Sequence, residues 1–190
     1  MSASIKNFIA TKVDTNYQLD DDLPFPISVK TFEKHTIVTP YHQVEKKAYF
    51  LVRGIVKISV IREDGEERIL EFFFPGNFFS AYTSFLTQKP SKVEIEALTC
   101  CDVEVIEYAD IQDAYTHSIL ANKLGRLVAE QYYISKTKRE KDFLTKSATE
   151  RYLELVDKRP ELVKQIPVHA IAKYLGIKPE SLSRIRKEIS

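Results

Sequence analysis

The chain has 190 residues, a formal net charge of +1, 44% hydrophobic and 29% charged residues. This composition fits one or two globular domains and excludes a disordered chain. No apolar run approaches the ~20 residues of a bilayer span, and Cys100 and Cys101 are too few for a disulfide framework, a cysteine-only metal site or an iron–sulfur cluster.

The start, Met1-Ser2-Ala3-Ser4-Ile5-Lys6, has no basic region ahead of an apolar stretch. A reducing cytoplasm without membrane contact is the expected setting. Residues 1–133 carry 14 Lys+Arg against 19 Asp+Glu, while residues 134–190 carry 14 against 8. An acidic front and a basic back predict that only the back meets a polyanion.

Residues 1–27 show little pattern. Asp20-Asp21-Asp22 before Leu23-Pro24-Phe25-Pro26 reads as the end of a short helix and a turn. From about Phe32 to Ile106 the pattern is β. The run from Phe50 to Ile61 is rich in β-branched residues and meets Asp64-Gly65, a strong hairpin signal because glycine tolerates positive φ. The segment from Arg68 to Phe74 returns as the partner strand, and Pro75-Gly76 ends it. Val93 to Leu98 alternates, so one face is buried and one is wet. Val103 to Ile106 follows. Short strands at this spacing predict a barrel or sandwich.

After Tyr108 the period changes. Asp110 is placed to cap a helix. Residues 111–142 hold no proline and one glycine, Gly125. Leu120, Leu124, Leu127 and Ile134 follow spacings of 4, 3 and 7, one stripe along a helix. A helix of ~30 residues is ~45 Å long, which suggests a twin helix in a dimer. The alternatives are a stripe packed on its own barrel, or two helices. A further helix is predicted over 147–158, with Tyr152, Leu153, Leu155 and Val156 as its apolar set.

The strongest motif is C-terminal. Val168, Ile171, Ala172 and Leu175 form the inner face of one helix. Gly176 ends it in the left-handed conformation, Ile177 plugs the turn, and Pro179 suits the first turn of a second helix. Leu182, Ile185 and Ile189 bury there, leaving Ser181, Arg184, Lys187 and Glu188 outside. This reads as a helix-turn-helix whose second helix enters the major groove of double-stranded DNA; the alternative is a ligand-binding regulatory module whose C-terminal helices contact a protein partner. Arg184 is placed to read guanine, and Lys173, Lys178, Arg186 and Lys187 to hold phosphates.

From about Phe32 to Ile189 the chain resembles the CRP/FNR family of bacterial transcription regulators. The matching residues are Tyr49-Phe50-Leu51-Val52-Arg53-Gly54-Ile55-Val56-Lys57-Ile58, the Asp64-Gly65 hairpin, Phe74-Pro75-Gly76-Asn77-Phe78-Phe79, and the helix-turn-helix. The resemblance implies an α+β chain: an N-terminal double-stranded β-helix (a jelly-roll-like β-roll), a long dimerisation helix and a C-terminal winged helix-turn-helix. The divisions fall at 1–109 for the sensor roll, 110–142 for the dimer helix and 143–190 for the DNA-binding domain. It also implies a homodimer, inverted-repeat half-sites and RNA polymerase as a further contact. Glu180 and Arg184 match the family's base-reading pair, and Ser181 and Ser183 lie beside them.

The sensor departs from the cyclic AMP pattern. Ala81 stands where the ribose-binding glutamate would be, and Ser91 where the phosphate-binding arginine would be. Lys92 is adjacent but lacks the arginine fork. Tight cyclic AMP binding is therefore not expected, and the effector is unnamed. Gly76, Ser80, Ala81, Tyr82, Ser84, Ser91 and Lys92, with Tyr132 and Tyr133 from the helix, are the predicted pocket. The alternative is a roll filled by Phe72, Phe74, Phe78, Phe79 and Phe85. His35, His42, His117 and His169 are scattered and read as surface or core residues. No metal site, cofactor or catalytic constellation stands out.

Overall fold

The computed structural model describes residues 3–158 and 160–188. The N-terminal segment is a helix, α1 (Ile5–Phe8), running on as a π-turn over Ile9–Val13. Ile5 and Ile9 are fully buried, and Glu104 accepts the Ile5 N–H at 2.6 Å. The short helix expected to end at Asp20-Asp21-Asp22 ends instead at Val13, and only a turn lies at the aspartates. Its signal is the spacing of Ile5, Phe8, Ile9 and Val13, too short a run to define a period.

Eight strands follow: β1 (Ser28–Phe32), β2 (Ile37–Thr39), β3 (Lys47–Arg53), β4 (Val56–Ile61), β5 (Glu67–Phe73), β6 (Phe78–Phe79), β7 (Glu94–Ala97) and β8 (Cys101–Glu107). They form two antiparallel four-stranded sheets, β1-β8-β3-β6 and β2-β7-β4-β5. The apolar run from Phe50 to Ile61 is two strands in different sheets. The switch is at Gly54, whose φ is +99°. A Cβ there would lie 2.5 Å from the Cys100 carbonyl oxygen and 2.6 Å from Cys101 Sγ. The Asp64-Gly65 hairpin joins β4 to β5 as expected, with Gly65 at φ +82°. Val56, Ile58, Ile95, Val103 and Val105 point into the space between the sheets.

A short helix, α2 (Tyr82–Thr87), follows β6. Past the roll, the predicted single helix is two: α3 (Tyr108–His117) and α4 (Ile119–Thr145). The break is at Ser118, which leaves helical geometry and caps α4 by accepting the Ala121 N–H at 3.1 Å. Asp110 lies within the first turn of α3 rather than at its cap. Leu124 is buried against Ile5, Ile9 and Ile106, with Leu120 partly buried beside it. Those two residues thus belong to the chain's own core. Leu127 is half-buried and Ile134 exposed.

Four helices complete the chain: α5 (Ala148–Lys158), α6 (Pro160–Val163), α7 (Val168–Leu175) and α8 (Pro179–Glu188). Ser147 and Glu150 form a reciprocal capping box at the start of α5. Tyr152 is buried there, while Leu153 faces solvent, against expectation. Among the described residues no strand follows β8, so the expected wing is not seen. No described helix is long and apolar enough to cross a membrane.

Candidate functional site

The α7–α8 unit matches its sequence reading closely. Ile171, Ala172 and Leu175 are buried, Gly176 takes φ +73°, and Pro179 opens α8. Leu182 is fully buried and Ile185 partly so, while Ile189 lies outside the described residues. Lys178, Glu180, Ser183, Arg184, Arg186 and Lys187 are exposed, and Ser181 is half-buried. These residues present a polar and mainly basic helix face to solvent.

Lys173 is placed differently from expectation. It is drawn toward the roll, where its Nζ meets Glu67 at 2.7 Å. Glu67 also receives Lys57, which pairs with Glu96 at 2.8 Å, and Glu96 meets His35 at 2.9 Å. Burial works against charge on Glu67, but hydrogen bonds from Lys173 and Lys57 outweigh it and bring its carboxyl down to about 2. Burial likewise opposes the Lys57 charge and is more than offset by Glu67 and Glu96.

This ionic chain borders an apolar contact between roll and helices. Ile55, Ile69, Phe72 and Leu98 share one core with Tyr152, Ala170, Ile171 and Leu175. The Phe72 and Tyr174 rings lie 5.0 Å apart. Two arginines cap the C-terminal end of α7. Arg139 donates to Ile69 O at 3.1 Å and Tyr174 O at 3.3 Å, and Arg151 to Leu175 O at 2.9 Å and Phe143 O at 3.3 Å. Terminal helix carbonyls lack intrahelical partners, so cations there satisfy both hydrogen bonding and the helix dipole.

A cleft of about 1310 Å³ runs from the roll along α4 to this junction. Seven of the nine predicted pocket residues line it: Ser80, Ala81, Tyr82, Ser84, Ser91, Lys92 and Tyr132. Gly76 and Tyr133 do not. Gly76 forms the turn after β5, its N–H held by Leu51 O at 2.8 Å. Tyr133 is 70% exposed, because one residue from Tyr132 is about 100° around a helix. The predicted hydroxyls already donate to backbone carbonyls: Ser80 to Lys47 O at 2.9 Å, Ser84 to Lys89 O at 2.5 Å and Ser91 to Val93 O at 2.7 Å. Buried Glu45 accepts the Ala81 N–H, and burial pushes its carboxyl up. Phe79 and Phe85 are buried in the roll, but Phe72, Phe74 and Phe78 also line the cleft.

Residues 29–118 match the family model for the cyclic nucleotide-binding domain. The roll has the cyclic nucleotide-binding domain fold. Solved structures extend the likeness to most of the chain. FixK2 from Bradyrhizobium japonicum is 19% identical over 86% of this chain and 84% of its own, with a TM-score of 0.74. The c-di-GMP-responsive global regulator CLP of Xanthomonas campestris is 17% identical over 86% of each chain, with a TM-score of 0.66. A CRP/FNR-family transcriptional regulator from Thermus thermophilus is 16% identical over 85% of each, with a TM-score of 0.68. At these identities the likeness is one of fold. No curated protein sequence matches the chain.

Proposed function

We propose that the protein is a homodimeric, sequence-specific DNA-binding transcription regulator of the CRP/FNR type. The observation that carries this is α8: a buried Leu182 seam on one side, and exposed Glu180, Ser183, Arg184 and Lys187 on the other. The basic C-terminal third and the likeness in fold to a CRP/FNR-family regulator support the same conclusion. Arg184 and Glu180 read bases, and Lys178 and Lys187 hold phosphates. Lys173 serves the roll instead. In a two-fold dimer the two α8 helices sit ~34 Å apart and read an inverted repeat.

The dimer seam lies on the exposed side of α4. Ile119, Leu127, Ile134 and Leu144 fall within one arc of about 100° at 3.6 residues per turn. Ile119, Ile134 and Leu144 are 78%, 64% and 82% exposed. Such apolar exposure along one helix calls for a partner.

Cyclic AMP is not the effector in this proposal. Ala81 offers no carboxylate to a ribose, and Ser91 offers no guanidinium to a phosphate. Calorimetry with cyclic AMP should therefore show no binding at micromolar affinity. Selection from random duplex DNA, with and without cell extract, tests the main proposal. Enrichment of an inverted repeat, with affinity falling steeply in salt, is the expected result. No enrichment under either condition would overturn it.

A further inference from the structure

The far end of the cleft carries two arginines, Arg139 and Arg151. The whole cleft is lined by eight lysines and arginines, of which Arg68, Lys138 and Lys173 have carboxylate partners. Two of the lining acids, Asp142 and Glu154, are each already paired with both Lys138 and Lys146. Among the described residues neither Arg139 nor Arg151 has a carboxylate partner. Their hydrogen bonds go to carbonyls alone. Arg151 Nε is buried with no hydrogen-bond partner among the described residues. The two guanidiniums crowd one ring, with carbons 5.6 and 3.9 Å from the Phe143 centroid. Burial and the neighbouring Arg139 charge disfavour the charge on Arg151 more than Tyr174 and Asp142 favour it. Both side chains are half-buried, and a bound anion would supply the carboxylate-like partner that neither has within ion-pair distance among the described residues.

We propose that Arg139 and Arg151 form a site for the phosphate or pyrophosphate group of a small-molecule effector, whose organic part lies along the cleft toward Tyr132. Guanidinium forks match phosphate oxygens bidentately and supply short, charge-assisted bonds. A pyrophosphate engages two cations at once, which suits the pair of guanidiniums. Tyr132 and Arg139 are about 10 Å apart along α4, seven residues at 1.5 Å each. The cleft is lined there by Ser135, Lys136 and Lys138 of α4 and elsewhere by Ile69, Leu70, Phe72 and Phe74 of the roll, room for an organic moiety. The ligand's charge thus sits beside α7 rather than in the roll, where Ala81 and Ser91 leave no charged pair to hold it. The same guanidiniums cap α7, so occupancy acts directly on the helix-turn-helix. That last step rests on the DNA-binding proposal, whereas the binding test below does not.

The test is calorimetric titration of the full chain with inorganic pyrophosphate, with citrate as a carboxylate of comparable charge. Pyrophosphate should bind saturably and citrate more weakly. Arg151→Gln should weaken pyrophosphate at least ~tenfold, the loss of one charge-assisted hydrogen bond. Lys92→Gln, at the other end of the cleft, should change it less than ~twofold. Arginine Nε–H resonances of the wild-type protein, followed during the same titration, keep the test independent of variant folding. The Arg139 and Arg151 signals should move and the Arg184 signal should not. Absence of pyrophosphate binding, unmoved Arg139 and Arg151 signals, equal binding of citrate, or loss of binding in Lys92→Gln instead of Arg151→Gln would each overturn the proposal.

Discussion

Lys173, on the first helix of the helix-turn-helix, donates to Glu67 of β5 across 106 residues of sequence. Glu67 is shared with the buried Lys57, so one carboxylate ties the DNA-binding unit to the roll. Its folded value of about 2 lies below the ordinary 4.5. The contribution is therefore complete above about pH 4.5 and is lost as pH falls toward 2. Glu45 and Glu104, raised by burial, run in the opposite direction. Urea unfolding across this range should show stability falling with acid, and Glu67→Gln should flatten part of that fall. An unchanged acid dependence in Glu67→Gln would assign it to other carboxylates. Because Lys173 is 39% exposed, Lys173→Ala should cost only ~0–1 kcal/mol.

Gly54 makes a second firm demand. A side chain there meets backbone at 2.5 Å and a backbone angle that L-residues avoid. Gly54→Ala should destabilise by about 2 kcal/mol or more, from a strained φ of ~1–3 kcal/mol plus the overlap. A melting temperature within a degree of wild type would contradict this.

The features legible in the sequence are those punctuated locally. Gly176 and Pro179 mark the α7–α8 turn, Asp64-Gly65 marks the hairpin, and alternation from Val93 to Leu98 marks β7. Each needs only its neighbours to be understood. Features decided by distant partners are hidden. The spacing of Leu120 and Leu124 suits a dimer seam equally well. Only the packing of Ile5 and Ile9 beside Leu124 shows that this face is already covered. Ser84 and Ser91 look like pocket hydroxyls until Lys89 and Val93 carbonyls are seen to take them. Arg139 and Arg151 look like solvated helix charges. Their significance comes from α7 carbonyls more than 20 residues away. The break at Ser118 has no glycine or proline to announce it. Its signal is the serine itself, whose hydroxyl caps the Ala121 N–H.

The division of α4 into a buried and an exposed face separates two variants. Ile134→Glu places a charge on the exposed arc and should yield a folded monomer in analytical ultracentrifugation, with little change in far-ultraviolet dichroism. Leu124→Glu puts a carboxylate among Ile5, Ile9 and Ile106 and should unfold the roll, since an unpaired buried charge costs several kcal/mol. A wild-type chain that is monomeric at high concentration would remove the dimer from the proposal. A dimeric Ile134→Glu would move its seam elsewhere.

Arg184 and Lys187 share α8 and are both exposed, but they are assigned different work. A guanidinium fork on guanine discriminates between bases, worth ~1–3 kcal/mol, whereas a lysine on phosphate adds affinity without sequence. Arg184→Ala should lower affinity for the selected repeat by about 10- to 100-fold and leave random duplex DNA much less affected. Lys187→Ala should weaken both alike and lower the salt slope by about one per subunit. Fluorescence anisotropy on the selected and scrambled duplexes, at two or more salt concentrations, separates these patterns. Equal loss on both duplexes for Arg184→Ala would make it a phosphate contact and shift base reading toward Glu180 and Ser183. The two variants leave the buried Leu182 seam untouched, so each binding change can be interpreted against an intact fold.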